Sequence, residues 1–184
     1  MIAALAGRRI DAPGVSEPRF PPGNIDKVKE QLKIFFSENE IDWLVCSGAC
    51  GADLLALEVA GQYNIKRKMI LPFDAVTFRA SSVADRPGDW GEKFDAIHEE
   101  LKKASNIVVL DYDSNDDNVY EKANYDILDI ADELLQMTGN ISGQKKVAII
   151  IWEGTPKNSD DTTDHFRTEA QERDYIIKEI NCLY

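Results

Sequence analysis

No stretch of this chain is apolar for long enough to cross a membrane, so no membrane partner is expected. Cysteine is scarce, and Cys46, Cys50 and Cys182 are odd in number and widely placed. That excludes a disulfide framework and points to a reducing compartment. Cys46 and Cys50 lack a second ligand pair, so no zinc site is expected. Histidine is limited to His98 and His165, and no nucleophile elbow accompanies them, which disfavours a Ser–His–Asp enzyme. Positive charge is the minority sign: 21 Lys and Arg against 33 Asp and Glu leave a net charge of -12. A polyphosphate backbone is repelled by that balance, so no nucleic-acid partner is expected, whereas a small anion held by a few local donors is compatible with it. There is no internal repeat, no composition break and neither a P-loop nor a dinucleotide fingerprint. The opening nine residues carry their positive charges after the apolar part, the wrong order for a signal peptide. A cytoplasmic protein is the expectation, with no cofactor and with self-association left open.

The 184 residues suffice for one domain, taken as 1–184. Its organising stretch runs from Trp43 to Ala56. Leu44, Val45 and Cys46 form the short apolar run of a strand covered on both faces. Ser47, Gly48, Ala49, Cys50 and Gly51 are all small, and a helix follows from Ala52. A small-residue turn lets a ligand approach main-chain N–H groups, and the helix aims its free donors and positive end into the same space. Together these features make an anion site, most often for phosphate. The plainer alternative is that small residues only permit close strand–helix packing. Asp53, in the first turn, is either a helix-start acid, an orienter of arginine or an acceptor for a ribose hydroxyl.

Around that stretch the hydrophobic pattern predicts strands at 2–6, 68–71, 106–110 and 146–152. Helices are predicted at 25–36, 90–101 and 119–137, with a closing helix that includes Phe166, Ala170 and Ile177. Asn24 is the expected cap of the first helix. Residues 12–23 and 74–89 read as irregular loops, the second long enough for a lid, and 139–143 as a turn. Strands alternating with helices predict a doubly wound, mostly parallel sheet of five to six strands with helices on both faces. Gly7, Arg8 and Arg9 then emerge at the carboxyl edge of the first strand, where ligands bind in such folds. Asn124 and Tyr125 face the same edge. Phe73, Phe78, Trp90 and Trp152 are available for stacking. The acids Asp111, Asp113, Asp116 and Asp117 are either solvated turn residues or a magnesium site, and the expectation is no metal. Glu58, inside an apolar helix, needs a partner if buried, and Arg8 or Arg9 is the candidate. Cys50 is either a buried small residue or a helix-start thiolate.

Four pieces of the chain resemble the SLOG superfamily, Rossmann-like domains that include the Lonely Guy phosphoribohydrolases and the DNA-processing protein A group. They are Ala6–Asp11, then Ser47–Glu58, then Leu71-Pro72-Phe73 with Phe78, Ser82 and Val83, then Trp152-Glu153-Gly154 leading to Thr162. The resemblance implies a nucleotide or nucleotide-derived small molecule at the sheet edge. It would place Gly7, Arg8, Ser47, Gly48 and Gly51 around phosphate or ribose, and Pro72 and Phe73 beside the base or sugar. Domains of this kind often serve as sensors in signalling or defence. The Lonely Guy motif PGGxGTxxE is met here only by Thr162, within Ser159-Asp160-Asp161-Thr162-Thr163-Asp164. Acids stand where glycines are expected, which argues against phosphoribohydrolase activity.

The candidate ligand-binding set is therefore Gly7, Arg8, Arg9, Ser47, Gly48, Cys50, Gly51, Asp53, Pro72, Phe73, Trp152 and Thr162. Two other readings stay open. One is an enzyme cleaving an N-glycosidic bond, which needs a carboxylate such as Glu58, Asp53 or Asp111. The other is a protein-interaction module with a vestigial pocket.

Overall fold

The computed structural model describes residues 1–137 and 145–184. Six strands, all parallel, form one sheet. They are β1 (Ile2–Gly7), β2 (Trp43–Cys46), β3 (Lys66–Leu71), β4 (Ile107–Val109), β5 (Lys146–Trp152) and β6 (Ile176–Asn181), in the spatial order β4-β3-β2-β1-β5-β6. The helices are α1 (Ile25–Glu38), α2 (Ala52–Gln62), α3 (Ala75–Ser82), α4 (Trp90–Lys103), α5 (Val119–Met137) and α6 (Thr162–Glu172). This is a doubly wound, Rossmann-like α/β fold. The first four strands step outward from β1. Then α5 runs back across β3, β2 and β1, and β5 pairs with the other side of β1. The strand order thus reverses between β1 and β5.

Alternation along the strands builds a core on each face. Ala3 and Leu5 of β1, with Val147, Ile149 and Ile151 of β5, join the cluster that holds α1, α2 and α4. Ile2, Ala4 and Ala6, with Ala148, Ile150 and Trp152, join the cluster under α5 and α6. Val28, Leu32 and Phe36 give α1 its buried stripe, and Trp90, Phe94, Ile97 and Leu101 give α4 the same. α2 is apolar nearly all round and is buried from Ala52 to Leu57, as an element between other layers must be.

Three local expectations are corrected. Residues 75–82, read as loop, form α3, which begins where the Asp74 carboxylate accepts the N–H groups of Val76 and Thr77. Only Phe78 and Ser82 of that helix are buried, so no apolar stripe announces it. The last helix does not run through Ile177. It ends at Glu172, Asp174 turns with φ of 60°, and Ile176–Asn181 becomes edge strand β6 beside β5. Asn24 does not cap α1 with its side chain; it ends a 3-10 turn, and its amide donates to the Cys182 carbonyl at 3.1 Å. The turn expected at 139–143 lies outside the described residues.

Close approach at the reversal depends on Gly7. A Cβ there would stand 2.6 Å from both the Ile151 carbonyl oxygen and the Ala52 Cβ. Gly7→Ala should therefore lower stability in urea unfolding by roughly 1–3 kcal/mol, the usual cost of overpacking. Gly23→Ala, where a Cβ meets nothing within 4 Å, should change it by no more than about 0.5 kcal/mol.

Candidate functional site

At the reversal point the chain leaves β1 through Arg8, whose N–H donates to the Ile151 carbonyl at 2.8 Å. The side chain is buried rather than offered to a ligand. Its Nε and Nη2 donate to Glu153 at 2.6 and 3.0 Å, Nη1 donates to Asp161 at 2.6 Å, and Nη2 also reaches the Thr155 carbonyl at 3.1 Å. The side chains of Arg8, Glu153 and Asp161 are only 3%, 4% and 1% exposed. Arg19, from the loop after β1, adds a second cation to Glu153. Two guanidinium and two carboxylate groups thus balance one another, as buried charges must. Burial works against the charged Asp161, yet the bonds from Arg8 and from the N–H groups of Lys157 and Thr163 outweigh it and hold the carboxyl well below its ordinary range. Glu153 is held low in the same way. Asp161 is also the N-cap of α6.

The small-residue turn after β2 is largely closed by its own bonds. The Cys50 N–H donates to the Ser82 carbonyl at 3.0 Å and the Ala52 N–H to the Arg8 carbonyl at 3.1 Å. The Ala49 N–H donates to Asp53 Oδ2 at 3.1 Å. Gly51 takes a φ of 99°, and a Cβ there would lie 2.6 Å from Ile10 N and 2.7 Å from Arg8 O. Its freedom serves the seam between this turn and the chain after β1. Three of the main-chain donors expected to face an anion are thus already used, and the packing role of the glycine is the one observed. Burial, opposed by Arg9, raises the Cys50 thiol above its ordinary value, contrary to a helix-start thiolate.

Beside this closed seam lies a cavity of about 700 Å³, a size suited to a small organic ligand. It is bounded by the carboxyl ends of the central strands and by the starts of α5 and α6. Of the residues read from the sequence, Gly7, Arg8, Arg9, Ser47, Asp53, Pro72 and Thr162 line it. Gly48 does not; it packs towards Met69 and Phe94. Cys50 and Gly51 belong to the seam. Phe73 is buried against Phe78 and Tyr120, and Trp152 lies buried beneath Arg8 and Arg167. Trp90 is buried in the core, so of the proposed stacking residues Phe78 alone reaches the cavity.

The cavity gains residues that the sequence did not single out as ligand contacts. Tyr120 and Asn124, one turn apart on α5, both line it. Tyr120 shares a 2.9 Å hydrogen bond with the Ser82 hydroxyl, and the Asn124 amide donates to the Thr162 carbonyl at 3.0 Å. Tyr125, expected at this edge, is exposed instead. Arg86 and Lys157 come from loops without periodicity, where nothing in the pattern distinguishes them. Arg9 and Arg86 both pair with Asp85. Among the described residues, Lys157 is the one lining cation with no carboxylate within ion-pair distance.

Three carboxylates were candidates for chemistry, and only one lines the cavity. Glu58 pairs with Lys29 at 2.8 Å and Lys93 at 2.6 Å, not with Arg8 or Arg9. Asp111 sits in a left-handed turn with φ of 55°. Asp113 and Asp116 accept N–H groups of their own turns, and among the described residues no three His, Cys, Asp or Glu side chains gather as a metal cluster. Asp53 is 8% exposed and lines the cavity. Burial pushes its carboxyl from 3.8 up to about 7, against the Ala49 N–H and the charge of Arg9. The two histidines lie apart from it: His98 stacks on Phe94, and His165 bridges Glu121 and the Ser159 carbonyl.

No protein-family model matches this chain, and no curated protein matches it. Among solved structures it is similar to the X-ray structure of DNA processing protein A from Streptococcus pneumoniae, with 16% identity and a TM-score of 0.43. The match covers 98% of this chain and 58% of that one, so this chain spans less than two thirds of its length. That likeness concerns the fold alone.

Two outcomes follow from the charges. Between about pH 4 and 7 the folded protein keeps a proton on Asp53 that the unfolded chain has released, so this group lowers stability as pH rises through that window. Asp53→Asn lacks that proton, and its stability relative to wild type should rise by about 1–3 kcal/mol from pH 5 to pH 8 in urea unfolding. Arg8→Met strands two buried carboxylates and should cost about 3–5 kcal/mol. Arg79→Met, which removes an exposed partner of Asp95, should cost about 0–1 kcal/mol.

Proposed function

We propose that this protein is a SLOG-like domain that binds a nucleotide or a nucleotide-derived small molecule at the carboxyl edge of its sheet. The observation that carries the reading is the 700 Å³ cavity at the point where the strand order reverses. Open α/β sheets bind their ligands in that crevice. Pro72, Phe78 and Ile127 offer apolar contacts suited to a base, while Ser47, Asp53, Asn124 and Lys157 offer polar ones. A phosphate would find its unpaired cation in Lys157, because Arg8 is committed to Glu153 and Asp161. The net charge of -12 disfavours a polynucleotide in the same place. A sensor role in signalling or defence is consistent with a binding domain of this kind.

A second reading has one observation in its favour. Asp53 is a buried carboxyl in the cavity whose proton leaves near neutrality, the property a general acid or base requires. In N-glycosidic cleavage it would take the proton of a water whose oxygen bonds to the anomeric carbon. The base would leave with the electron pair of the broken C–N bond and be protonated. Chromatography after incubation with nucleosides and nucleotides then shows free base with wild type and none with Asp53→Asn; unchanged substrates with wild type exclude turnover of those compounds.

The binding reading is tested by thermal shift against nucleosides, their mono-, di- and triphosphates and dinucleotides. At least one should raise the Tm of the wild type, and Ser47→Tyr, which puts a ring into the cavity, should abolish the shift. No shift across the panel with folded protein, or a shift that survives Ser47→Tyr, contradicts the reading.

A further inference from the structure

Three carboxylates line the cavity, Asp11, Glu17 and Asp53, and none of them has an ion-pair partner among the described residues. Glu17 is exposed and Asp11 half-buried, so Asp53 is the buried one. Its Oδ2 accepts the Ala49 N–H at 3.1 Å, while Oδ1 has no hydrogen-bond or ion-pair partner among the described residues and belongs to a side chain lining the cavity. The structural task at the start of α2 therefore needs one acceptor, and an asparagine or serine would supply it. A second carboxylate oxygen, on a residue 8% exposed, is surplus to that task. Among the described residues the buried side-chain polar atoms without a partner are Arg9 Nε and Trp152 Nε1, so this oxygen is open to the cavity, where a ligand donor can reach it.

The chemistry of the donor is constrained by the surroundings. A cationic group is disfavoured, because Arg9 already faces Asp53 and Arg8, Arg19, Arg86 and Lys157 line the same cavity. A neutral O–H or N–H donor remains. Asp53 belongs to the same polar turn as Ser47, whereas the apolar lining suited to a base comes from Pro72, Phe78 and Ile127. We infer that Asp53 is the specificity-determining residue of the cavity, and that its free oxygen receives a hydroxyl of the ligand's sugar. This rests on the reading that the cavity holds a nucleoside-type ligand. Discrimination between ribo and deoxyribo ligands is its direct consequence. A site with a buried acceptor penalises an analogue that lacks the matching hydroxyl more than it penalises one that is merely smaller.

Calorimetry with adenosine, guanosine, cytidine and uridine, their monophosphates, and the 2′-deoxy and 3′-deoxy forms of each tests the inference. The expected result is at least tenfold weaker binding of one deoxy series to wild type. Asp53→Ala should bring the ribo and deoxy affinities to within about threefold, because the acceptor that distinguishes them is gone. Asp53→Asn, which keeps an acceptor for Ala49, controls for folding and should also narrow the gap. Equal binding of ribo and both deoxy forms to wild type, blocked by Ser47→Tyr, overturns the role of Asp53 and leaves the cavity as the site. Absence of binding by every compound, or binding that Ser47→Tyr does not affect, overturns both.

Discussion

A guanidinium sealed between two carboxylates organises this molecule at the point where its strand order reverses. Where β1 and β5 part, no further strand covers the crevice, and three loops must meet there. Arg8 joins them: it follows β1, and its partners Glu153 and Asp161 follow β5 and cap α6. Its planar fork reaches both acids at once, and Arg19 brings the loop after β1 onto the same Glu153. With the charges closed on one another, the crevice does not carry the field of a free arginine. Neighbouring groups, chiefly Lys157 and Asp53, are what a ligand would meet.

The seam at the start of α2 has the same character. A sequence of small residues before a helix is compatible with two arrangements, an open nest of N–H donors or a tight backbone join. Here the donors of Ala49, Cys50 and Ala52 are spent on Asp53, Ser82 and Arg8, and Gly51 permits the contact. What is left over is one oxygen of Asp53. The seam thus spends these three donors and keeps one acceptor open to the cavity.

Much of the architecture was legible in the chain. Apolar runs at β1, β2 and β5 and the stripes of α1, α4 and α5 each follow a single period, and period is what sequence shows well. α3 and β6 were not legible, because α3 is held by a cap with little burial and β6 is an edge strand paired on one side. That Gly7 to Arg9 and the Ser47 turn share one edge was readable, since in a parallel sheet the ends of neighbouring strands lie together. The electrostatics of the site were not. Arg8 lies 145 and 153 positions from Glu153 and Asp161, and one of the acids that spoil a glycine-rich phosphate loop, Asp161, turns out to neutralise it. Pairing across such separations leaves no local signature.

The central claim is that Arg8 and its acids act as one closed unit at the strand reversal. A double-mutant cycle of Arg8→Met with Asp161→Asn, which retains a side-chain oxygen for the α6 cap, measures this through urea unfolding. The account predicts a coupling of about 2 kcal/mol between the two changes, in the range of directly contacting charged partners. Effects that simply add, within about 0.5 kcal/mol, would contradict it.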